Sequence, residues 1–360
     1  MPVCTRSAVS MLTDCFASDD IEATARRTGF VQGASKMTGK LFLALVTFGS
    51  WSEAKTSLAQ LAAKATELDQ SVAVSPEAIH QRMNQKALTF LQDILRQTLA
   101  KLQSLDQVYD DGLFPAFTSV YIADSTGFEL PDELHKTFPG AGGGAARAGA
   151  KIQAVWDYKS SLFGHFALTP WNIPDQRYID QVVALAQKGI LFLFDVGYFK
   201  VKALASIATV GAYFLCRLNH QTNLYKTVAG HWCPVKLMEW LTTVAHDLSL
   251  RETSVYMGAT EHVAARLIAV RMPEAIVNKR RRVARKHAQK KGYTPSQTHL
   301  TLMAWHLFVT NGPPTLWNTA PTVKVYPLRW QIELLFKSWK SFLHVASITT
   351  KKEDSTRCYL

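Results

Sequence analysis

Near its C-terminal end the chain reads Tyr326-Pro-Leu-Arg329-Trp-Gln-Ile-Glu333-Leu-Leu-Phe-Lys337-Ser-Trp-Lys340. Arg329, Glu333, Lys337 and Lys340 stand at i, i+4, i+8 and i+11, so a helix would set one carboxylate among cations on a single face. Ile332, Leu335, Phe336 and Trp339 fall on the other side and would seat that helix on a core. A carboxylate so placed can hold a hard cation, or it can pair with its neighbours in a solvated ion ladder, which has the same spacing.

The same residues spell Tyr-x2-Arg-x3-Glu-x6-Lys. This pattern resembles the YREK signature of DDE transposases of the IS-four type from bacterial insertion sequences. The resemblance implies two further metal-binding aspartates at the ends of core strands. Asp124, in Asp-Ser-Thr after the β-rich run Thr118–Ala123, and Asp195, in Asp-x-Gly-Tyr after the apolar run Gly189–Phe194, match the family's local patterns. An aspartate after a strand is also a common turn or cap residue. Asp157 is a decoy, because its Trp-Asp-Tyr-Lys-Ser context suits a hairpin turn.

Phosphodiester cleavage and transfer need a nucleophilic oxygen activated and a leaving oxygen stabilised. Two Mg²⁺ (or Mn²⁺) ions about 4 Å apart serve both needs, and such hard ions choose carboxylate oxygens. On the resemblance Asp124 would bridge the ions, Asp195 would bind one, and Glu333 the other. Tyr326, Arg329, Lys337 and Lys340 would contact the transferred DNA end, by stacking or by gripping phosphates beside the scissile bond. Arg217, just past a strand end, either does likewise or is solvated. Trp305, in Trp-x-Leu-x-Val-Thr, is either a core residue or, as in the family segment it resembles, a face on which a flipped base stacks.

Those residues must be positioned by elements that the rest of the chain supplies. The 360 residues, 48% of them apolar, are enough for one large or two to three small domains. No apolar run is long enough to span a bilayer and no signal segment opens the chain, so a cytoplasmic protein is expected. Five scattered cysteines argue against a disulfide framework, and no Cys or His pairing has zinc spacing. A formal charge of +12 and a pI near 9.4 point to a polyanion, with nucleic acid favoured over a membrane surface. Its densest charge is Lys279-Arg280-Arg281-Arg282-Val-Ala-Arg285-Lys286, either a solvated helix face or a phosphate-backbone contact.

Residues 1–112 read as helical. Asp19 and Asp20 cap a helix that stops at Gly29, and Ser75-Pro76-Glu77 is an N-cap with proline at the first helical position. Behind it Ile79, Met83, Leu91, Ile94, Leu95 and Leu102 mark one stripe of a long helix. The outline is that of a helix-turn-helix with His80, Gln81 and Arg82 on its leading turns, or of an ordinary helical hairpin. From 113 to 219 three strands run in series and then helix and strand alternate, which predicts a mixed α/β sheet. That order resembles the RNase H-like core of the transposases. A β-rich insertion with a basic helix is expected over 220–321, and the helix with the YREK residues over 322–360.

The implied function is a transposase that binds the terminal inverted repeats of its element as double-stranded DNA, cleaves the ends with divalent metal and joins the 3′-hydroxyl to target DNA. A non-catalytic remnant and a metal-dependent nuclease of the same fold are the alternatives. Family members continue past the YREK helix into a region that pairs two protomers, so a homodimer is expected only with that region present; ending at Leu360, the chain reads as truncated.

Overall fold

The structure is a computed structural model, and it describes residues 18–49, 57–103, 112–143, 146–242 and 250–360. Cys4 and Cys15 lie outside them.

Helices come first in the chain: α1 (Ser18–Arg27), α2 (Gly39–Ala44), α3 (Leu58–Leu68), α4 (Pro76–Arg82) and α5 (Gln85–Gln103). Ser75 and Gly29 act as read from sequence, whereas Asp19 and Asp20 lie inside the first turn of α1 and not at its cap. Ser57 closes a capping box with Gln60, Ser75 accepts from Ala78 N–H, and Gly29 takes a φ of +72° that stops α1. The long helix expected after Ser75 is two helices. The chain leaves helical geometry at Met83 (ψ 79°), and Asn84 then restarts it by accepting from the N–H groups of Lys86 and Ala87. The apolar stripe runs on in phase across the break, because Ile79, Met83, Phe90 and Ile94 all enter the core that also holds Phe30, Phe42 and Leu61.

Next come β1 (Val120–Leu130), β2 (Ala148–Asp157), β3 (Phe163–Pro170), α6 (Asp175–Val183), β4 (Leu191–Phe194), α7 (Val201–Thr209) and β5 (Tyr213–Arg217). Then follow β6 (Leu224–Val228), β7 (His231–Pro234), α8 (Leu237–Thr242), β8 (Leu250–Met257), β9 (Val263–Arg271), α9 (Glu274–Lys290), α10 (Gln297–Leu302) and β10 (Trp305–Thr310). The last elements are α11 (Thr319–Val325), a 3₁₀ turn over Tyr326–Arg329, α12 (Trp330–Phe342) and α13 (Glu353–Tyr359).

All the strands among the described residues join one ten-stranded sheet in the order β3-β2-β1-β4-β5-β10-β9-β8-β6-β7. β1, β4 and β5 run parallel, β2 is antiparallel to β1 and β3 antiparallel to β2, and β10 joins the insertion strands to β5 antiparallel. The segment 220–321 therefore extends the sheet of the preceding strands. One face packs α6 and α7 through Ile179, Val182, Leu204 and Ile207 against Phe192, Phe194 and Phe214. The other packs α12 through Ile332 and Phe336 against Val120, Ile122, Leu193 and Leu215.

β1 also differs from expectation. It does not end at Asp124 but pairs with β2 through Leu130↔Ala148, so Asp124 sits in mid-strand. The polar trio Asp-Ser-Thr mimics a turn in sequence, yet its side chains find partners on both faces of the sheet. Asp157 is a turn anchor as expected, accepting from the N–H groups of Val120 and Lys159 and from Ser160 Oγ.

Candidate active site

Register brings two of the acids together. Ala123 pairs with Phe194 across the parallel β1–β4 ladder, so Asp124 and Asp195 are each the next residue beyond that pair. Phe194 pairs in turn with Cys216, which sets Arg217 at the same level on β5. Neighbouring strands lie about 4.8 Å apart, so Asp124, Asp195 and Arg217 form a row across the sheet.

The third acid arrives on α12. The Arg329 guanidinium, only 6% exposed, joins it to the row, donating from Nη1 to Asp124 Oδ2 at 2.9 Å and from Nη2 to Glu333 Oε1 at 2.7 Å. The 3₁₀ turn is clamped by Tyr326, whose buried hydroxyl donates to Phe194 O, the carbonyl just before Asp195, at 3.0 Å. Lys340, one face down the helix, donates to Gly127 O on β1 at 2.8 Å. The Tyr, Arg and Lys of the sequence pattern thus all bind this protein's own groups, and each fixes α12 over β1 and β4. Lys337 is exposed.

Burial pushes the Asp124 carboxyl up to about 6, against the lowering effect of the Ser125 N–H and the Arg329 guanidinium; Glu333 and Asp195 push it further up. Asp195 and Glu333 are therefore each within electrostatic reach of Asp124. Among the described residues no three His, Cys, Asp or Glu side chains are gathered tightly enough to hold a metal ion. The arginine stands between two of the acids and supplies the positive charge there. The donor set itself, three carboxylates from two strands and a helix, has the hard-oxygen chemistry that Mg²⁺ or Mn²⁺ takes.

The basic helix α9 lies at the same end of the sheet, since it leads into β10, and Leu218 N–H, just past β5, donates to Leu307 O at 2.9 Å. Its charges divide. Arg280 donates to His306 Nε2 and Met303 O, and Arg281 to Leu300 O, whereas Lys279, Arg282 and Arg285 are exposed. Burial, with Arg280 and Arg217 nearby, lowers His306 to about 4, so it stays the neutral acceptor of that bond. Arg217, Lys279, Arg280, His287, Tyr293 and Trp305 line a cavity of about 790 Å³. Trp305 is 9% exposed, part of the core, with the Arg251 guanidinium 5.4 Å from its ring centroid.

In the helical N-terminal part Gln81 is exposed and His80 half-buried. Arg82 turns inward, donating to Phe30 O at 2.9 Å and to Ser35 Oγ at 2.8 Å. Sequence reasoning passed over Asp175 and Lys151, a half-buried pair 2.8 Å apart on the far side of β1. The signal available for it was a lysine inside the mostly apolar β2.

A mixed sheet that carries two acids on adjacent parallel strands, with a third brought over them by a helix, defines an acid-site α/β protein. The family model described as Transposase DDE domain matches residues 115–360, more than half of the chain. The chain belongs to this family, the DDE transposases of insertion sequences, which are nucleic-acid-cleaving enzymes and generally use divalent metal ions. It is 28% identical over 357 residues to the transposase for insertion sequence element IS231F of Bacillus thuringiensis subsp. israelensis, a match spanning 94% of this chain and 74% of that protein. It is 26% identical over 364 residues to the transposase for IS1151 of Clostridium perfringens, spanning 97% of this chain and 76% of that one. A shorter match, 31% over 117 residues, is to the putative transposase InsL for IS186A of Escherichia coli strain K12. No described helix is long and apolar enough to cross a membrane.

Proposed function

We propose that this transposase binds the terminal inverted repeats of its element, cleaves the DNA ends with divalent metal at Asp124, Asp195 and Glu333, and joins the freed 3′-hydroxyl to target DNA. The observation that carries the reading is the Asp124–Arg329–Glu333 bridge beside Asp195, formed by residues far apart in the chain. A cluster of carboxylates gathered around a buried arginine is costly without a purpose for its charge. The three carboxylates would hold two Mg²⁺ or Mn²⁺ ions, which when bound supply activation of the attacking oxygen and stabilisation of the leaving one. Arg329 would then exchange its carboxylate partners for DNA phosphate, with Lys337 as a further contact.

The strand order β3-β2-β1-β4-β5 supports an RNase H-like core over 113–219, completed by α12. Exposed Lys279, Arg282 and Arg285, at the acid-bearing end of the sheet, support a backbone contact by α9. The cavity beside them, with Arg217, Arg280 and Trp305 in its wall, would receive the distorted end of the duplex. The helices before 112 would bind the repeat, with His80 and Gln81 facing DNA and Arg82 bracing the turn.

The test is cleavage of an end fragment by Asp124→Asn, Asp195→Asn and Glu333→Gln. Each keeps shape and removes a charged ligand, so each should abolish metal-dependent cutting and retain DNA binding in a gel-shift assay. A variant that cuts at the wild-type rate removes its residue from the site.

A further inference from the structure

We propose that Asp175 is a positioning residue of the acidic site, a carboxylate on the far face of the sheet that fixes Asp124 and Asp195 relative to one another. The inference rests on the reading of Asp124 and Asp195 as metal ligands. Asp175 opens α6, and its Oδ1 accepts three hydrogen bonds: from Lys151 Nζ at 2.8 Å, Ser125 Oγ at 2.9 Å and Gln153 Nε2 at 3.0 Å. Its other oxygen packs against Gly197, where an added Cβ would lie 3.4 Å away. Gln153 completes the set by accepting from the Tyr198 hydroxyl at 2.5 Å.

Two arms of this network end beside the two aspartates. Ser125 follows Asp124 in the chain, and its N–H donates to Asp124 Oδ1 at 2.8 Å. Gly197 and Tyr198 close the turn after Asp195, with Tyr198 N–H donating to Asp195 O at 3.1 Å. Alternation along β1 sends Asp124 to the α12 face and Ser125 to the α6 face, so the anchor holds the strand from behind without occupying the site. Gln153 is fully buried, Tyr198 is 1% exposed and Lys151 is 9% exposed. A buried lysine needs a counter-charge, but one carboxylate would satisfy it wherever it stood. Here the carboxylate stands where two strands and a turn converge, and the pair Ser125 and Tyr198 contributes nothing to neutralising Lys151. Partners that orient metal-ligating carboxylates change metal affinity by about ten- to a hundredfold when removed.

The experiment measures Mn²⁺ binding to the whole chain without DNA, by the paramagnetic resonance signal of free Mn²⁺, together with thermal unfolding. Asp175→Asn and Ser125→Ala should each weaken Mn²⁺ binding by roughly tenfold, and Ser125→Thr should restore it. The double variant should bind less weakly than the two single effects multiplied together, because both substitutions act on one link. Asp180→Asn is the control: it changes another α6 carboxylate, one that is 68% exposed and paired with Lys200 at 3.2 Å, and should bind as wild type. Should Asp175→Asn fail to fold, Ser125→Ala and Tyr198→Phe decide the matter. Wild-type Mn²⁺ affinity in both, with binding lost in Asp124→Asn, overturns the positioning role. Wild-type affinity in Asp124→Asn rejects the ligand reading beneath it.

Discussion

Arg329 shows how one side chain reconciles opposing demands. Asp124 is buried deeply enough that its carboxyl is pushed up to about 6 even with the guanidinium alongside. The ordinary value is 3.8, so the folded protein binds this proton more tightly than the unfolded chain does. Below about pH 4 both states hold it and stability is unaffected; as pH rises towards 6 the unfolded chain releases it first and stability falls. A shift of this size corresponds to about 3 kcal/mol above pH 6. In chelator, Asp124→Asn should therefore unfold at a higher temperature than wild type at pH 7.5 and at the same temperature at pH 4. Calorimetry at the two pH values checks this, and equal midpoints at pH 7.5 would mean that the arginine already cancels the cost. Trp305 makes a second case. Truncating a buried tryptophan costs about 3–5 kcal/mol, so Trp305→Ala should lower the unfolding midpoint and slow every step of end processing together. A variant of wild-type stability that fails only after the first nick would mark the ring as a base contact.

At the scale of elements, α9 separates cations that bind the protein from cations that face solvent. Replacing Arg282 and Arg285 by Ala should lower the slope of log affinity against log salt by roughly two on any DNA sequence, at unchanged thermal stability. Replacing Arg280 and Arg281 should instead lower stability, because His306, Met303 and Leu300 lose their donors. Binding measured over a salt series, beside thermal melts, separates the two pairs; an unchanged slope in the first would make α9 a solvated face. Local signals were what the sequence made legible. Ser75-Pro76 caps a helix through contacts within four residues, the apolar Leu191–Phe194 can only be a buried strand, and Asp157 carries its turn beside it. The candidate acids were picked out by resemblance to a family's short patterns, and register sets Asp124 and Asp195 on neighbouring strands. Non-local facts were not legible. Nothing near Trp305–Thr310 states that it pairs with β5, and Asp175 looks like any first-turn acid until the fold sets Lys151 and Ser125 against it. Met83–Asn84 breaks a helix while its apolar stripe stays in phase, so periodicity alone passes over it.

At the scale of the molecule, α13 connects the helical part to the sheet. Cys358 and Tyr359 pack into the helical core, Glu353 accepts from Thr137 Oγ1 at 2.9 Å, and Arg357 lies 4.9 Å over the Phe138 ring. Cys358 is 6% exposed, so a carboxylate there would be forced into an apolar core. Cys358→Asp should release α13 and split the calorimetric unfolding of the whole chain into two transitions where wild type shows one; a single transition in the variant would mean that other contacts couple the parts. The sheet imposes a different condition. Backbone hydrogen bonds run unbroken from β5 through β10 to β9, so the acid row and the basic helix cannot pivot about each other without tearing a ladder. With about 4.8 Å per strand, the protein acts as a stiff ruler between the two. On the function proposed above, a duplex touching both marks would do the bending itself. Its softness, set by steps that unstack cheaply, then enters recognition at base pairs no side chain reaches.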